Sequence, residues 1–421
     1  MVDCYIKFIY KTDRLHPIHK DVVSIFVYDF VFKKYKYYNI SHPDLPGFYS
    51  LDEFKKEYKN YNLAVNNKKE YKYFLNDFKL YDIGILYFIN TGEVLPKYID
   101  DDYIYYDKSG YITPFIKHQD IFLEEVNDII DLLDRFNLDN KNYIFYNDLS
   151  NALYNIERNG LYVDPNIFMI YFGGYYDENN LIYSQYNILN ITGRPSNTFD
   201  KINFVAIPKT DCRKSFTSRY DNGNILMMDF SGYHPTIISK MIDYKIDINE
   251  SIYENIGKHY YFKKILSDSE ISYIKKTTMV LLYGDNTKNE LSNLDYFKKV
   301  EQLKLKIYND YINNGYILTP IYKRKLEYDI IGDISKSKLF SYYIQAYETE
   351  LNIDKINKCI EYCKDKEIIP ILYVYDSILF DIPPKINKQY IIDLKHILEE
   401  GNYKLKCYIG SNYNDLEKIN I

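Results

Sequence analysis

The sequence predicts a chain of mixed α/β and α+β character in two domains, an α/β domain over residues 1–138 and a larger α+β domain over 139–421. Three observations carry this expectation. A chain of 421 residues with 46% apolar side chains can build more than one core. The first hundred residues alternate short apolar and aromatic runs (5–10, 22–32, 81–88) with polar turns, which reads as strands mixed with helices. The remainder combines long amphipathic stretches at 291–315 and 336–364 with two apolar, strand-like runs that each deliver a single aspartate.

Taken in order, Ile121, Phe122, Val126, Ile129, Ile130, Leu132 and Leu133 recur with helical periodicity over 120–137. The polar run DNKN at 139–142 then reads as a linker, which sets the domain boundary at 135–142. Beyond it, 148–156 reads as helix and 182–191 as strand, and the chain carries neither an internal repeat nor a low-complexity tail.

Composition narrows the function classes. The net charge of −6 gives no whole-chain attraction for nucleic acid, so any such binding depends on local basic surface, for which YKRK at 322–325 is a candidate. Heavy use of tyrosine (51) with no tryptophan is the mark of an AT-rich coding genome rather than of a function. Five scattered cysteines (Cys4, Cys212, Cys359, Cys363, Cys407) lack paired metal-ligand spacing and suit a reducing compartment. No signal segment and no membrane-length apolar run is present, so a soluble, intracellular protein without a membrane partner is expected.

The chemistry concentrates in three segments. In ILMMDFSGYH (225–234) an apolar strand ends at Asp229 and is followed by a helix started by proline. In PILYVYDSILFDIP (370–383) a second apolar run holds Asp376. Side by side, such strands would pair two carboxylates that stay ionised only with cations between them, the arrangement of two-metal phosphoryl transfer; singly, each Asp is equally an ordinary strand or turn cap. In KKTTMVLLYG (275–284) helical spacing puts Lys275, Met279 and Tyr283 on one face, ended by Gly284. A cation, an apolar patch and a phenol ring suit phosphates, sugar and base, although an amphipathic helix with a solvated lysine has the same spacing.

These segments stand in a longer series: NIERNGLYVDP (155–165), TGRPSN (192–197), NFVAIP (203–208), the Asp229 strand, the Lys275 helix, Gln345 and the YDS hairpin (375–377). In content and order the series resembles the family A, DNA polymerase I-like, DNA polymerases over most of 150–385. The resemblance implies a right-hand polymerase, with palm at 185–240 and 335–421, fingers at about 241–334, an antiparallel palm sheet with helices, and a preceding ribonuclease H-like, exonuclease-type domain. It implies that Asp229, Asp376 and the backbone carbonyl of Phe230 bind two Mg²⁺ ions, with Mn²⁺ as a substitute. Lys275 would neutralise the triphosphate and protonate the leaving pyrophosphate. Met279, Tyr283, Gly284 and His234 would surround the incoming nucleotide, while Arg194, Asn203, Gln345, Tyr375, Lys323 and Arg324 would contact DNA. The expected activity is DNA-templated addition of dNTPs to a primer 3′-hydroxyl in DNA replication, in a viral or mobile-element setting.

Four departures qualify the resemblance. The family's sugar-selecting Glu is replaced by His234, and Ser377 and Met279 resemble the related phage-type RNA polymerases, so an RNA polymerase or primase-like enzyme is the alternative, with a weakly active nucleic-acid-binding subunit as a third reading. Two expected arginines are Thr236 and Ile271, a loss of cations that Lys276 or the 322–325 cluster would have to offset. The nuclease metal positions fall on Ile9, Lys11 and Tyr71, with Asp120 as the one remaining carboxylate, which predicts an inactive exonuclease-like domain. Finally, the stretch between Pro165 and Thr192 is too short for a full thumb, which predicts low processivity and a partner protein that supplies grip on the duplex.

Overall fold

β1 (Cys4–Tyr10) is buried at every position, which requires cover on both faces of the sheet in which it is central. β2 (Val22–Asp29) runs antiparallel to β1, and β3 (Lys34–Asn39) antiparallel to β2. A connection through α1 (Leu51–Tyr58), capped by the Ser50/Glu53 box, returns the chain to β4 (Asn62–Val65), parallel to β1 as such a crossover allows. α2 (Lys68–Tyr71) leads to β5 (Lys79–Asp82), parallel to β4, and α3 (Ile83–Thr91), α4 (Phe115–Asp134) and α5 (Lys141–Glu157) follow. The order of the five strands is β3-β2-β1-β4-β5. One face of this sheet packs Phe8, Phe54, Tyr58 and Leu75. Rings on the other side stack Tyr5 and Phe26 on Phe122 of α4, at 5.6 and 5.2 Å. The buried Lys7 ammonium is neutralised there by Glu125 at 3.0 Å.

This computed structural model describes residues 2–12, 16–96, 112–134, 139–247, 250–284 and 289–421. They form two compact units that divide between Tyr154 and Asn155. The division falls inside α5, not in the run at 139–142 where the sequence places a linker; α5 already begins at Lys141. Residues 135–138, where the expected boundary begins, lie outside the described residues. Of the positions that the resemblance relates to nuclease metals, Ile9 is fully buried, and the buried Tyr71 accepts a hydrogen bond from the Phe8 amide at 2.9 Å. Lys11 and Asp120 are exposed.

In the second unit β6 (Leu161–Tyr162) pairs with β7 (Leu181–Ile182) around α6 (Pro165–Tyr171), and β8 (Tyr186–Asn187), β9 (Ser196–Phe199) and β10 (Ile202–Asn203) form a small antiparallel sheet. The expected continuous strand over 182–191 is thus only the two-residue pieces β7 and β8. β11 (Asn224–Phe230) then enters the main sheet, followed by α7 (Tyr233–Met241), α8 (Ile252–Tyr261), α9 (Asp268–Tyr283) and α10 (Asp295–Asn314). A hairpin of β12 (Tyr316–Leu318) and β13 (Lys325–Glu327) and the short α11 (Tyr328–Ile331) lead to α12 (Lys336–Cys363). β14 (Ile369–Val374), β15 (Ser377–Ile382), α13 (Lys388–Glu399), β16 (Leu405–Gly410) and β17 (Glu417–Ile419) close the chain.

The main sheet has the order β14-β15-β11-β16-β17, antiparallel throughout. β15 is buried along its whole length, Asp381 included. That carboxylate accepts from the Ser218 hydroxyl at 2.5 Å and from Arg219 Nε at 2.9 Å. Arg219 in turn donates to the carbonyls of Asn159 and Gly160, tying the 155–165 segment to the sheet. Across the other helices a second core gathers Ile256, Ile274, Tyr296, Ile307, Leu339 and Phe340. All five cysteines are free and buried, and among the described residues no helix is long and apolar enough to cross a membrane.

Candidate active site

The register of two strands builds the site. β11 and β15 pair so that Asp229 stands opposite Ser377, and the Phe230 amide donates to the Asp376 carbonyl at 2.8 Å. Asp229 and Asp376, 147 positions apart in sequence by their numbers, are therefore neighbours at one end of the sheet. Burial is the first cause of the shift in each. It pushes the Asp229 carboxyl up to about 6, helped by the charge of Asp376 and opposed by Lys406, Lys209 and Lys275. The Asp376 carboxyl is also raised, by burial and then by Glu348. A half-buried carboxylate pair whose ionisation is resisted this way is poised for cations.

Backbone geometry fixes both aspartates. On the β11 side, Gly232 adopts φ 61° as the N-cap of α7, and a Cβ there would come within 2.9 Å of Ile252 and 3.0 Å of the Tyr253 ring. Only glycine fits this turn. The helix begins at Tyr233, so Pro235 falls inside its first turn and does not start it. On the β14–β15 side the turn is made by Tyr375 at φ 54°, a left-handed conformation that an aromatic residue holds only when its surroundings enforce it. Asn352 of α12 supplies that enforcement. Its buried amide donates to the Tyr375 carbonyl at 3.0 Å and to the Tyr373 hydroxyl at 2.9 Å, and accepts from Tyr233 at 2.7 Å.

The helix predicted over 275–284 is the second half of α9, started by a Ser267/Glu270 capping box and ended at Gly284. Lys275 and Met279 are exposed on it and Tyr283 is partly buried. The Tyr283 hydroxyl lies 2.6 Å from His234 Nδ1. Its pKa is raised, by burial first and then by Glu348. Gly284 donates to the Val280 carbonyl and accepts from Ser337. Arg194 lays its guanidinium 3.7 Å over the Tyr375 ring, and its Nε stands 3.3 Å from Glu348 Oε2. Gln345, half-buried on α12, donates to Ser341. Asn203 is exposed on β10, and Lys323 is exposed at the tip between β12 and β13 with φ 57°.

Arg324 corrects the sequence reading. It is 1% exposed, pairs with Glu350 at 2.9 Å and donates to the carbonyl of Thr192 at 2.8 Å. It braces the segment that carries Arg194 and belongs to no basic surface. Besides Lys275, the cations that act on Asp229 are Lys406, opposite it on β16, and Lys209, neither foreseen. Glu348 and Asn352 were missed as well.

Two carboxylates and a strand-end carbonyl are hard oxygen donors, and among the described residues no three acidic, His or Cys side chains converge into a complete cage. That set fits Mg²⁺, which keeps waters and takes substrate phosphates as its remaining ligands. A cavity of about 660 Å³ behind α7, lined by Lys240, Tyr403 and Lys404 among others, includes none of these donors.

No protein-family model and no curated protein sequence matches the chain. By fold it is similar to a solved structure of the POL domain of Pol1 from M. smegmatis in complex with DNA primer-template and dNTP, with a TM-score of 0.70. The likeness covers 98% of this chain and 96% of that one at 11% identity.

Proposed function

We propose that the chain is a template-directed DNA polymerase that adds dNTPs to a primer 3′-hydroxyl by two-metal phosphoryl transfer, without proofreading. The observation that carries this reading is the β11–β15 register, which sets Asp229 beside Asp376 with the charge of Lys275 acting on Asp229. The primer and the nucleotide of the M. smegmatis complex supply the substrate class.

In the reaction the primer oxygen attacks the α-phosphorus as the bond to pyrophosphate breaks, and the hydroxyl proton passes to solvent water. Asp229, Asp376 and the Phe230 carbonyl would hold two Mg²⁺ ions, or Mn²⁺. Bound there, such ions neutralise phosphate charge and acidify the attacking hydroxyl. The chain's own side chains do the rest largely by positioning. Lys275 receives the triphosphate and returns a proton to the leaving group. Met279, Tyr283 and Gly284 form the floor under the new base pair, and Phe230, stacked on Tyr233 at 4.1 Å, keeps the strand end rigid. Arg194, already ordered on Tyr375, reaches the duplex with Gln345, Asn203 and Lys323. The first unit is read as a nuclease-type scaffold without nuclease activity, and a processivity partner as the source of duplex grip.

Extension of a labelled primer on a defined template, with dNTPs or NTPs and with Mg²⁺ or Mn²⁺, tests this. Template-dependent extension by dNTPs is expected. A folded chain that incorporates neither nucleotide set refutes the reading, and primer-free synthesis from NTPs moves it to an RNA polymerase.

A further inference from the structure

The cavity of about 660 Å³ behind α7 takes no part in the chemistry above, and its walls are of two kinds. Tyr244, Ile246, Ile252 and Leu405 form an apolar side, and Lys240 and Lys404 add two ammonium groups. Both lysines rest on main-chain oxygens. Lys240 donates to the carbonyl of Gly401, approaches that of Asn402 at 3.5 Å and stands 3.8 Å over the Tyr403 ring. Lys404 donates to the Glu250 carbonyl at 2.9 Å. Among the described residues neither forms an ion pair.

The acids of the cavity are committed elsewhere. Glu250 pairs with Lys258 at 2.7 Å, Glu399 accepts from the Leu405 amide at 3.0 Å, and Asp247 also has an interaction partner. Partial burial lowers the Lys240 pKa, and no acid offsets it. The ammonium of Lys355, which donates to the carbonyls of Leu398 and Glu400, lies 5.0 Å from the same Tyr403 ring and adds like charge. Lys240 therefore carries a positive charge that the chain leaves unpaired, beside an apolar wall. Packing alone gives no reason for that charge.

We propose that this cavity binds a nucleoside mono- or diphosphate, with the phosphate drawn to Lys240 and Lys404 and the base against the apolar side. This site is separate from the Asp229–Asp376 pair and goes beyond the polymerase reading without resting on it. The volume falls within the range of small-molecule sites, about 300–1,000 Å³, and is far larger than a lone phosphate needs. An ammonium with no acid partner gains a charge-assisted hydrogen bond from a phosphate oxygen. Ser231 and Asn402, which also line the cavity, suit the sugar between the two ends. Charge, hydrogen-bonding groups and apolar surface thus occur together, as the three parts of a nucleotide require.

Isothermal titration of the full chain in EDTA, without primer-template, tests the site with AMP, ADP, adenosine and inorganic phosphate. AMP or ADP is expected to saturate one site per chain, with adenosine and phosphate each at least about tenfold weaker. Lys240→Ala should weaken AMP by about tenfold or more, and Lys404→Ala carries the same test if that variant does not fold. Lys275→Ala, on α9 and outside the cavity, should bind AMP as wild type does. No saturation below about 1 mM overturns the proposal, as do folded lysine variants of unchanged affinity. Adenosine as tight as AMP removes the phosphate subsite, and phosphate as tight as AMP removes the nucleotide class; either overturns it. Loss of AMP binding in Lys275→Ala but not in Lys240→Ala moves the ligand to the polymerase site and also refutes the cavity. Because no turnover is measured, failure here leaves the polymerase reading standing.

Discussion

Asp229 and Asp376 show what a half-buried carboxylate pair does to the protein that holds it. Asp229 titrates at about 6 instead of 3.8, so the folded chain holds protons that the unfolded chain has already released. Stability is therefore highest at low pH with respect to this group, falls as pH rises through that window, and stays reduced above it. Asp229→Asn should abolish incorporation, by on the order of 10³-fold or more. In EDTA at pH 8 the same change should raise stability by about 1–3 kcal/mol, seen as a higher Tm. Added Mg²⁺ should raise the Tm of wild type and leave that of the variant unmoved. A variant that melts below wild type at pH 8 would contradict this account. The aspartates were legible because a carboxylate at the end of an apolar β-branched run stands out against its neighbours. Glu348 and Asn352 were not, because single polar residues on a long helix look like its solvated side until packing shows them buried.

The β12–β13 hairpin separates two roles that the sequence merges in four residues. Lys323 is exposed at the tip while Arg324 turns inward to Glu350 and Thr192. Arg324→Ala leaves a buried carboxylate unpaired and should cost about 3–5 kcal/mol in denaturant unfolding. Lys323→Ala should leave stability unchanged and lower the slope of log K against log salt for duplex binding by about one ion. Equal effects of the two changes on the salt slope would return Arg324 to the surface. α12 explains why such inversions are hard to foresee. Over its 28 residues it buries Leu339 and Ile353 but also Glu350, Asn352 and Lys355, and so presents no single apolar face. Only the second half of α9 was read, up to its terminal glycine, and the Ser267/Glu270 capping box that starts it was passed over.

At the scale of the whole chain, the two units carry different expectations. On the proposed reading of the first unit as a scaffold without nuclease activity, purified protein should leave labelled single strands intact in Mg²⁺ or Mn²⁺, since Ile9 and Tyr71 are buried and carry no carboxylate. Digestion that disappears in Asp120→Ala would reverse that. In single-hit primer extension the isolated chain should make short products, since 165–192 holds only α6 and small strands; long products would remove the need for a partner. The division between the compact units leaves no mark in the sequence, because α5 runs through it with no break in composition.

The five buried thiols have a practical consequence. Burial pushes Cys4 and Cys363 up to about 12 and Cys407 up to about 11, so none of these presents a reactive thiolate while the fold is closed. Cys4 lies in the first unit, and the other four lie in the second. An alkylating reagent followed by peptide mass mapping thus turns the chain into its own pair of clocks, timing the opening of each unit separately with no engineered label.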